Sequence, residues 1–356
     1  MLRVGGKAMR LVRALAGMVL GIAVLGAALP GRPARADTLA AVQEAGVLRC
    51  GVTSRGSGLS ILDETGRWRG FFADMCRSLA AAVTGSADRV EFVEANAENR
   101  FAILRNGEVD VVMEGTTWTL QRDAAFGVDF PTVYLFDGQG FIAHRSLGIA
   151  HVGDLAKTAA SVCAIEQTTS LRNLEDWMAR SGARLTLKRV RSDEGATSAF
   201  FNHHCDLFSS DRMSLYAQRR LMAPDSNDYV VLPETISKEP LGPMVRTGEK
   251  RWFDIVRWVF LATVLAEEKG VTAANAAAVK EDTVDVEVRK LLGATPGLGW
   301  GLGLDDGWGL RVITQVGNYG EIFDRHLGAG SPLGIERGLN ALWSKGGLMF
   351  APPLGG

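Results

Sequence analysis

No excess of either charge marks this 356-residue chain: 39 Lys and Arg stand against 40 Asp and Glu, a net charge of −1. A protein without a basic footprint is a poor candidate for nucleic acid. Catalytic signatures are equally scarce. There is no GxSxG, HExxH or P-loop, and the histidines at 144, 151, 203, 204 and 326 have no carboxylate partners at motif spacing. No exact short repeat and no low-complexity block occurs. Past residue 36 no apolar run is long enough to span a bilayer, since the most apolar helix-like stretch, Trp252 to Ala266, is interrupted by Asp254 and Arg257. What is present, 47% apolar and 22% charged residues, describes a globular protein long enough for two domains.

The first 36 residues read as an export signal. Arg3, Lys7, Arg10 and Arg13 precede the apolar run Ala14 to Leu29, and Ala34-Arg35-Ala36 offers small residues for cleavage before Asp37. The run is shorter than the roughly 20 residues a membrane anchor needs. Cleavage after Ala36 would remove six basic residues and no acid, leaving 33 basic and 40 acidic residues, a charge of −7 over 320 residues.

Export makes disulfides the first reading of the four cysteines. Three connectivities are possible; the one that does not cross the chain's two regions pairs Cys50 with Cys76 and Cys163 with Cys205. His203-His204-Cys205 could be recruited to zinc, but no CxxC and no second ligand cluster accompany it, so the two histidines read as a surface turn and no metal is expected.

Along the chain, β-rich runs alternate with helical ones: strand Val47 to Val52, helix Phe72 to Val83, strand Arg89 to Ala95, helix Arg100 to Asn106, strand Val109 to Met113. This is the order of a mostly parallel sheet covered by helices. Strand Gly138 to His144 follows. From His151 the rhythm restarts with strands at Ala160 to Ile165, Leu185 to Val190, Asp206 to Ser209 and Tyr229 to Leu232, separated by helices at Leu171 to Ser181, Glu194 to Phe201 and Met213 to Leu221. A Pro- and Gly-containing connection then leads to strand Met244 to Arg246 and helix Arg251 to Lys269, whose Trp252, Phe253, Trp258 and Phe260 read as core. The remainder is expected to be helical around Glu287 to Leu292, Trp308 to Tyr319 and Leu339 to Lys345, with a Gly-rich loop from Gly297 to Gly309 that lacks the context of a nucleotide site.

Several stretches carry a resemblance: Val47-Leu48-Arg49-Cys50-Gly51-Val52, Gly70-Phe71-Phe72-Ala73-Asp74-Met75-Cys76, Arg100-Phe101-Ala102-Ile103-Leu104, Thr116-Thr117-Trp118-Thr119 with Arg122, and Ile236-Ser237-Lys238-Glu239-Pro240-Leu241-Gly242-Pro243. They resemble the bacterial extracellular solute-binding proteins of family 3. The tail, with Val316-Gly317-Asn318-Tyr319-Gly320-Glu321 and Arg337-Gly338-Leu339-Asn340-Ala341-Leu342-Trp343, is similar to the longer, general L-amino-acid-binding members. The likeness runs from about Leu39 to Pro353, and all four cysteines sit where that subfamily has them.

The resemblance implies an α/β fold of the periplasmic-binding-protein type II kind. Lobe one would comprise residues 37–143 plus 241–356, lobe two residues 144–240, with ligand bound between them and closure by hinge bending. It implies a periplasmic, monomeric receptor without cofactor or chemistry of its own, which delivers L-amino acids to ABC-transporter permease subunits. A free amino acid asks for a bidentate cation and helix-start N–H groups at its carboxylate, and for an acid at its ammonium. By resemblance Arg122 and Thr117 hold the carboxylate from lobe one and Thr168 from lobe two, while Asp211 takes the ammonium. Read without the resemblance, Arg122 would be a solvated arginine, Thr168 a helix cap and Asp211 a cap before Arg212.

Four positions depart from the family pattern. Phe72 replaces an Asp in the Gly-x-Asp-x-Asp stretch, Glu114-Gly115 replaces a basic or small residue followed by Asn, and Gln167 replaces the Gly of a Gly-Thr-Thr turn. Gly115, Gln167 and Phe72 are counted with the site, as is Leu59, in a loop from Ser54 to Ser60 expected to line the cleft. Glu114 reads either as solvated or as a selector of cationic ligands. Two other classes stand beside the receptor reading: an exported lyase on the same scaffold, for which Glu114 is the one candidate acid or base, and a sensory ligand-binding module.

Overall fold

A computed structural model of the chain describes residues 37–53 and 58–355. The expected export signal with its expected cleavage after Ala36, and residues 54–57 of the expected cleft loop, lie outside the described residues. No described helix is long and apolar enough to cross a membrane.

Two sheets organise residues 37–355. In the first, Leu48–Val52 is central, parallel on one side to Val90–Glu94 and on the other to Val111–Val112. The second has five strands in the order Thr186–Val190, Ser161–Ile165, Leu207–Asp211, Gln139–His144, Tyr229–Val231, parallel across the first three and antiparallel across the rest. Between them run two short antiparallel strands, Leu135–Asp137 and Glu239–Leu241. The strand Gln139–His144 is hydrogen-bonded to Leu207–Asp211, within the second sheet. The division expected at residue 143 therefore falls at the far end of a strand, and the chain changes sheets just before Gln139.

The helices form where an apolar stripe can be buried. Phe71–Thr84 packs Phe71, Phe72, Leu79 and Val83 into the core under the first sheet and stops at Gly85, whose φ of 89° is open to glycine without strain. Lys250–Glu268 follows the same rule, with Trp252 and Phe260 buried and Phe253 and Trp258 packed at its edge. The disulfides Cys50–Cys76 and Cys163–Cys205 form, with Cα atoms 6.1 and 5.8 Å apart. Each ties a strand of one sheet to a neighbouring helix or loop of its own unit. His203 and His204 lie exposed in a turn, His203 at φ 59°.

The tail departs from the expected helices at two points. Trp308–Gln315 ends at Gly317, where φ is 115°, and Tyr319–His326 starts afresh behind a capping box of Asn318 and Glu321. Residues 339–345 form two separate 3₁₀ turns, Gly338–Asn340 and Trp343–Lys345. Helices at Thr38–Ala45, Leu120–Ala125 and Ala276–Asp282 were not anticipated; the second and third are only 6 and 7 residues long, too short for a periodic signal.

The tail is fastened by polar contacts. Tyr319 Oη donates to the Tyr134 carbonyl (2.9 Å), and the Asn340 amide accepts from Phe136 N–H and donates to Phe136 C=O (2.7 and 2.9 Å), acting as an extra strand rung beside Leu135–Asp137. Asp74 meets Arg77 (3.0 Å), Arg325 (2.7 Å) and His326 (2.6 Å), joining helix Phe71–Thr84 to the tail. Burial alone would raise the Asp74 carboxyl, but the bond and charge of His326, with Arg325, hold it at about 2. A carboxyl lowered by folding lends stability that is complete above its unfolded pKa, about 3.9, and vanishes as pH falls through the folded value. Asp74→Asn is expected to cost on the order of 2 kcal/mol at pH 7 and to flatten the stability profile between about pH 4 and 2, read by urea unfolding across that range.

Candidate functional site

The carboxyl ends of strands in both sheets converge on one enclosed pocket. From the first sheet's side come Arg100, Gly115 and Arg122; from the second sheet's side come Ile165, Thr168, Thr169, Ser170, Ser209, Ser210 and Asp211. Arg122 sits on helix Leu120–Ala125, whose start is capped by Thr119 accepting from the Arg122 N–H (3.2 Å). Only 3% of Arg122 is exposed, and its Nη1 donates to the Thr117 carbonyl at 2.7 Å. Arg100 begins helix Arg100–Arg105, is 1% exposed, and pairs with Glu114 at 2.7 Å. Both guanidiniums lie over the Phe101 ring, at 5.2 and 5.7 Å from its centroid.

Charge on this wall is unbalanced. Of the two buried guanidiniums, that of Arg100 is paired with Glu114, and Arg100 Nε finds no acceptor among the described residues. Desolvation, and then the repulsion of Arg100, push the Arg122 guanidinium down to about 9, with Glu114 opposing. Such a wall favours an anion.

The opposite wall is built from helix starts and strand ends. Thr168 caps helix Thr169–Ser181: its Oγ1 accepts from Leu171 N–H (3.1 Å) and donates to the Ile165 carbonyl (2.6 Å). Its hydroxyl proton is thereby spent, and what this helix start offers the pocket is backbone N–H and the positive end of its dipole. Asp211 ends strand Leu207–Asp211 and is 4% exposed; although it stands at the cap position of helix Arg212–Met222, its side chain makes no cap bond. Gln139 fixes both parts of this wall, donating from Nε2 to the Ser170 carbonyl (2.8 Å) and to Ser209 Oγ (2.9 Å).

Of the residues singled out in the sequence, Arg122, Thr168, Asp211 and Gly115 share this pocket. Thr117 lies beside it, and its hydroxyl donates to Glu239. Phe72 and Leu59 do not reach it: Phe72 is wholly buried against Phe71 and Tyr134, and Leu59, 2% exposed, belongs to the same core. Phe72 points into the apolar interior because helix Phe71–Thr84 buries that face. Gln167 holds φ at 60°, the left-handed conformation a glycine would take, with its side chain exposed. Glu114 is 0% exposed and pairs with Arg100, so it is not solvated.

Sequence reasoning missed Arg100, Ser209, Ser210 and above all Glu239. Glu239, on the returning strand Glu239–Leu241, is 1% exposed. One oxygen accepts from Thr117 and from Thr169 (3.2 Å); the other accepts from Asn173 (2.7 Å) and Ser237. Thr117 belongs to the first sheet's side and Thr169 and Asn173 to the second's, so one carboxylate holds both. Its neighbour across the strand pair, Asp137, accepts N–H bonds from Met213 (3.0 Å) and Gly138 (2.8 Å), while burial raises its carboxyl to about 6. No motif marks Glu239; its place in Ser237-Lys238-Glu239-Pro240 was the sole signal.

Comparison with known proteins agrees in one direction. The description "Bacterial extracellular solute-binding proteins, family 3" matches residues 48–288. The chain is 40% identical over 337 residues to the general L-amino acid-binding periplasmic protein AapJ of Rhizobium johnstonii, covering 94% of this chain and 97% of that one. It is 41% identical over 327 residues to the glutamate/glutamine/aspartate/asparagine-binding protein BztA of Rhodobacter capsulatus, covering 92% and 96%. A solved ABC-transporter periplasmic binding protein from Brucella ovis, with glutathione bound, superposes at a TM-score of 0.87 with 41% identity, over 90% of this chain and all of that one.

Removing one member of a buried pair leaves the other charge uncompensated. Glu114→Gln is therefore expected to lower the unfolding free energy by about 3–5 kcal/mol through Arg100, as measured by denaturant unfolding, whereas a loss below about 1 kcal/mol would show that the pair is not what balances that guanidinium.

Proposed function

The chain belongs to the bacterial extracellular solute-binding proteins of family 3, and from that premise we propose that it is the periplasmic receptor of an ABC importer, capturing L-amino acids between two closing lobes. Its fold is the α/β type II fold of periplasmic binding proteins. The observation that carries the reading is the pocket itself, in which buried Arg122 on one wall faces buried Asp211 on the other. Opposite charges on opposite walls complement the carboxylate and ammonium of a zwitterion, and a ligand that bridges them stabilises the closed form alone.

In this reading Arg122 clamps the carboxylate, joined by Arg100 Nε and the N–H groups that begin helix Thr169–Ser181, and Asp211 takes the ammonium. Thr168 serves by capping that helix. The Thr117 hydroxyl has one proton and gives it to Glu239, so Thr117 acts through the hinge rather than as a donor to ligand. Lobe one comprises the first sheet and the tail, lobe two the second sheet including Gln139–His144, with Leu135–Asp137 and Glu239–Leu241 as the hinge. The receptor works as an exported monomer, released by cleavage after Ala36, and hands its ligand unchanged to membrane permease subunits. The lyase alternative depended on Glu114, which lies paired to Arg100 within the wall.

Calorimetric titration with the twenty amino acids tests this. Arg122→Ala and Asp211→Ala are each expected to weaken binding by roughly 2–5 kcal/mol, because each strands a buried charge; undiminished affinity in either would remove that residue from the site. Glu239→Gln keeps the shape but gives up the charged acceptor, and is expected to weaken binding by about 1.5–3 kcal/mol while shifting ligand-free protein toward an open form of larger radius of gyration in solution scattering.

A further inference from the structure

Asp137 ends the strand Leu135–Asp137 and stands directly opposite Glu239 in the strand pair. Two acids facing each other across a ribbon repel, and burial already disfavours the Asp137 carboxylate. The start of helix Arg212–Met222 answers both costs. Asp137 Oδ2 accepts from Met213 N–H at 3.0 Å, and the carbonyl of the next residue, Gly138, accepts from Arg212 N–H at 3.0 Å. The positive end of the helix dipole and the Arg212 charge therefore lie on the side from which Asp137 is held.

A helix start leaves four N–H groups without partners inside the helix, and the side chain at the cap position ordinarily takes that of the second or third helical residue. In this helix the cap position is Asp211, the acid assigned above to the ligand's ammonium, and the N–H of the second helical residue goes to Asp137. The contact is close on all sides. A Cβ added at Gly140 would stand 2.8 Å from Arg212 Cγ, and one added at Gly138 would stand 2.6 Å from Thr235 Cγ2 and 2.9 Å from the Ser237 carbonyl. Asp211 itself is paired with Gln139, two residues beyond Asp137. The helix start thus rests on one stretch of backbone, 137–140, at the point where the chain passes between sheets.

We propose that Asp137 is a positioning residue for amino-acid capture: it caps helix Arg212–Met222 from the strand assigned above to the hinge, and thereby sets where the Asp211 carboxylate meets the ligand's ammonium. The inference rests on the head-group reading. A change of hinge angle at Asp137 reaches Asp211 through Met213, two residues along the chain, and by reciprocity an ammonium bound at Asp211 biases the hinge.

Calorimetric titration with whichever of the twenty amino acids binds wild type most tightly tests this, with circular dichroism confirming that each variant is folded. Asp137→Ala and Asp137→Ser leave no atom at the Oδ2 position, and each is expected to weaken binding about 10-fold, the scale of one lost cap. Asp137→Asn keeps an acceptor for Met213 N–H and is expected to stay within about 3-fold of wild type. Asp285 caps helix Val286–Leu291 in the tail, so Asp285→Ala is expected to lower the unfolding midpoint and leave affinity unchanged. Without ligand, the carboxyl carbon-13 resonance of Asp211, assigned by its loss in Asp211→Asn, is expected to move in Asp137→Ala and to stay in Asp285→Ala. Undiminished affinity in the alanine and serine variants, no recovery in Asp137→Asn, an equal loss in Asp285→Ala, an unmoved Asp211 resonance, or loss of folding in both Asp137→Ala and Asp137→Ser overturns this role of Asp137 and leaves the head-group reading standing. Wild type that binds none of the twenty overturns both.

Discussion

Buried charge has to be answered, and this molecule answers most of its own while leaving the pocket between its sheets asymmetric. Arg100 and Arg122 stand together on one wall with Glu114 between the core and the first of them, and Asp211 stands on the other wall. Moving such groups out of water is costly, and the return comes only when the geometry supplies partners. In the receptor proposed above, a dipolar guest adds such partners on both walls. Helix Thr169–Ser181, aimed by its Thr168 cap, adds a fixed partial positive charge at the carboxylate's side.

A second buried acid joins the two units. Glu239 lies on the return strand and takes hydrogen bonds from Thr117 on one side and Thr169 and Asn173 on the other, so the connection between the units carries their contact as well. The tail stiffens the same place: Asn340 pairs with both polar groups of Phe136, and Tyr319 bonds the Tyr134 carbonyl. In the receptor proposed above, this bracing is a physical reason for a chain longer than its α/β units require. Hinge motions concentrate in a few residues at element ends, and the bracing attaches at the residues proposed above as the hinge.

The departures from the family pattern acquire separate meanings. Gln167 adopts the left-handed backbone that a glycine would take, and it is exposed to solvent. Phe72 exchanges a polar position for packing against Phe71 and Tyr134. Glu114 pairs with Arg100 within the wall. These are adjustments of the scaffold around the head-group pocket.

Much was legible before any coordinates, and for identifiable reasons. Strand and helix periods, caps and Gly or Pro breaks are local properties, so Leu48–Val52, Phe71–Thr84, Thr169–Ser181 and Lys250–Glu268 could be read from spacing alone, whereas Arg122, Thr168 and Asp211 were singled out by the family resemblance and by spacing alone would have read as a solvated arginine and two helix caps. What neighbours each residue across 50 to 120 positions is not local. Whether the Thr117 proton goes to a ligand or to Glu239, whether Glu114 faces solvent or Arg100, and that Gln139–His144 joins the second sheet were decided by tertiary packing. Hydrogen bonds and ion pairs are claimed by whichever partner the fold brings within about 3 Å, and a sequence orders residues without assigning them distances.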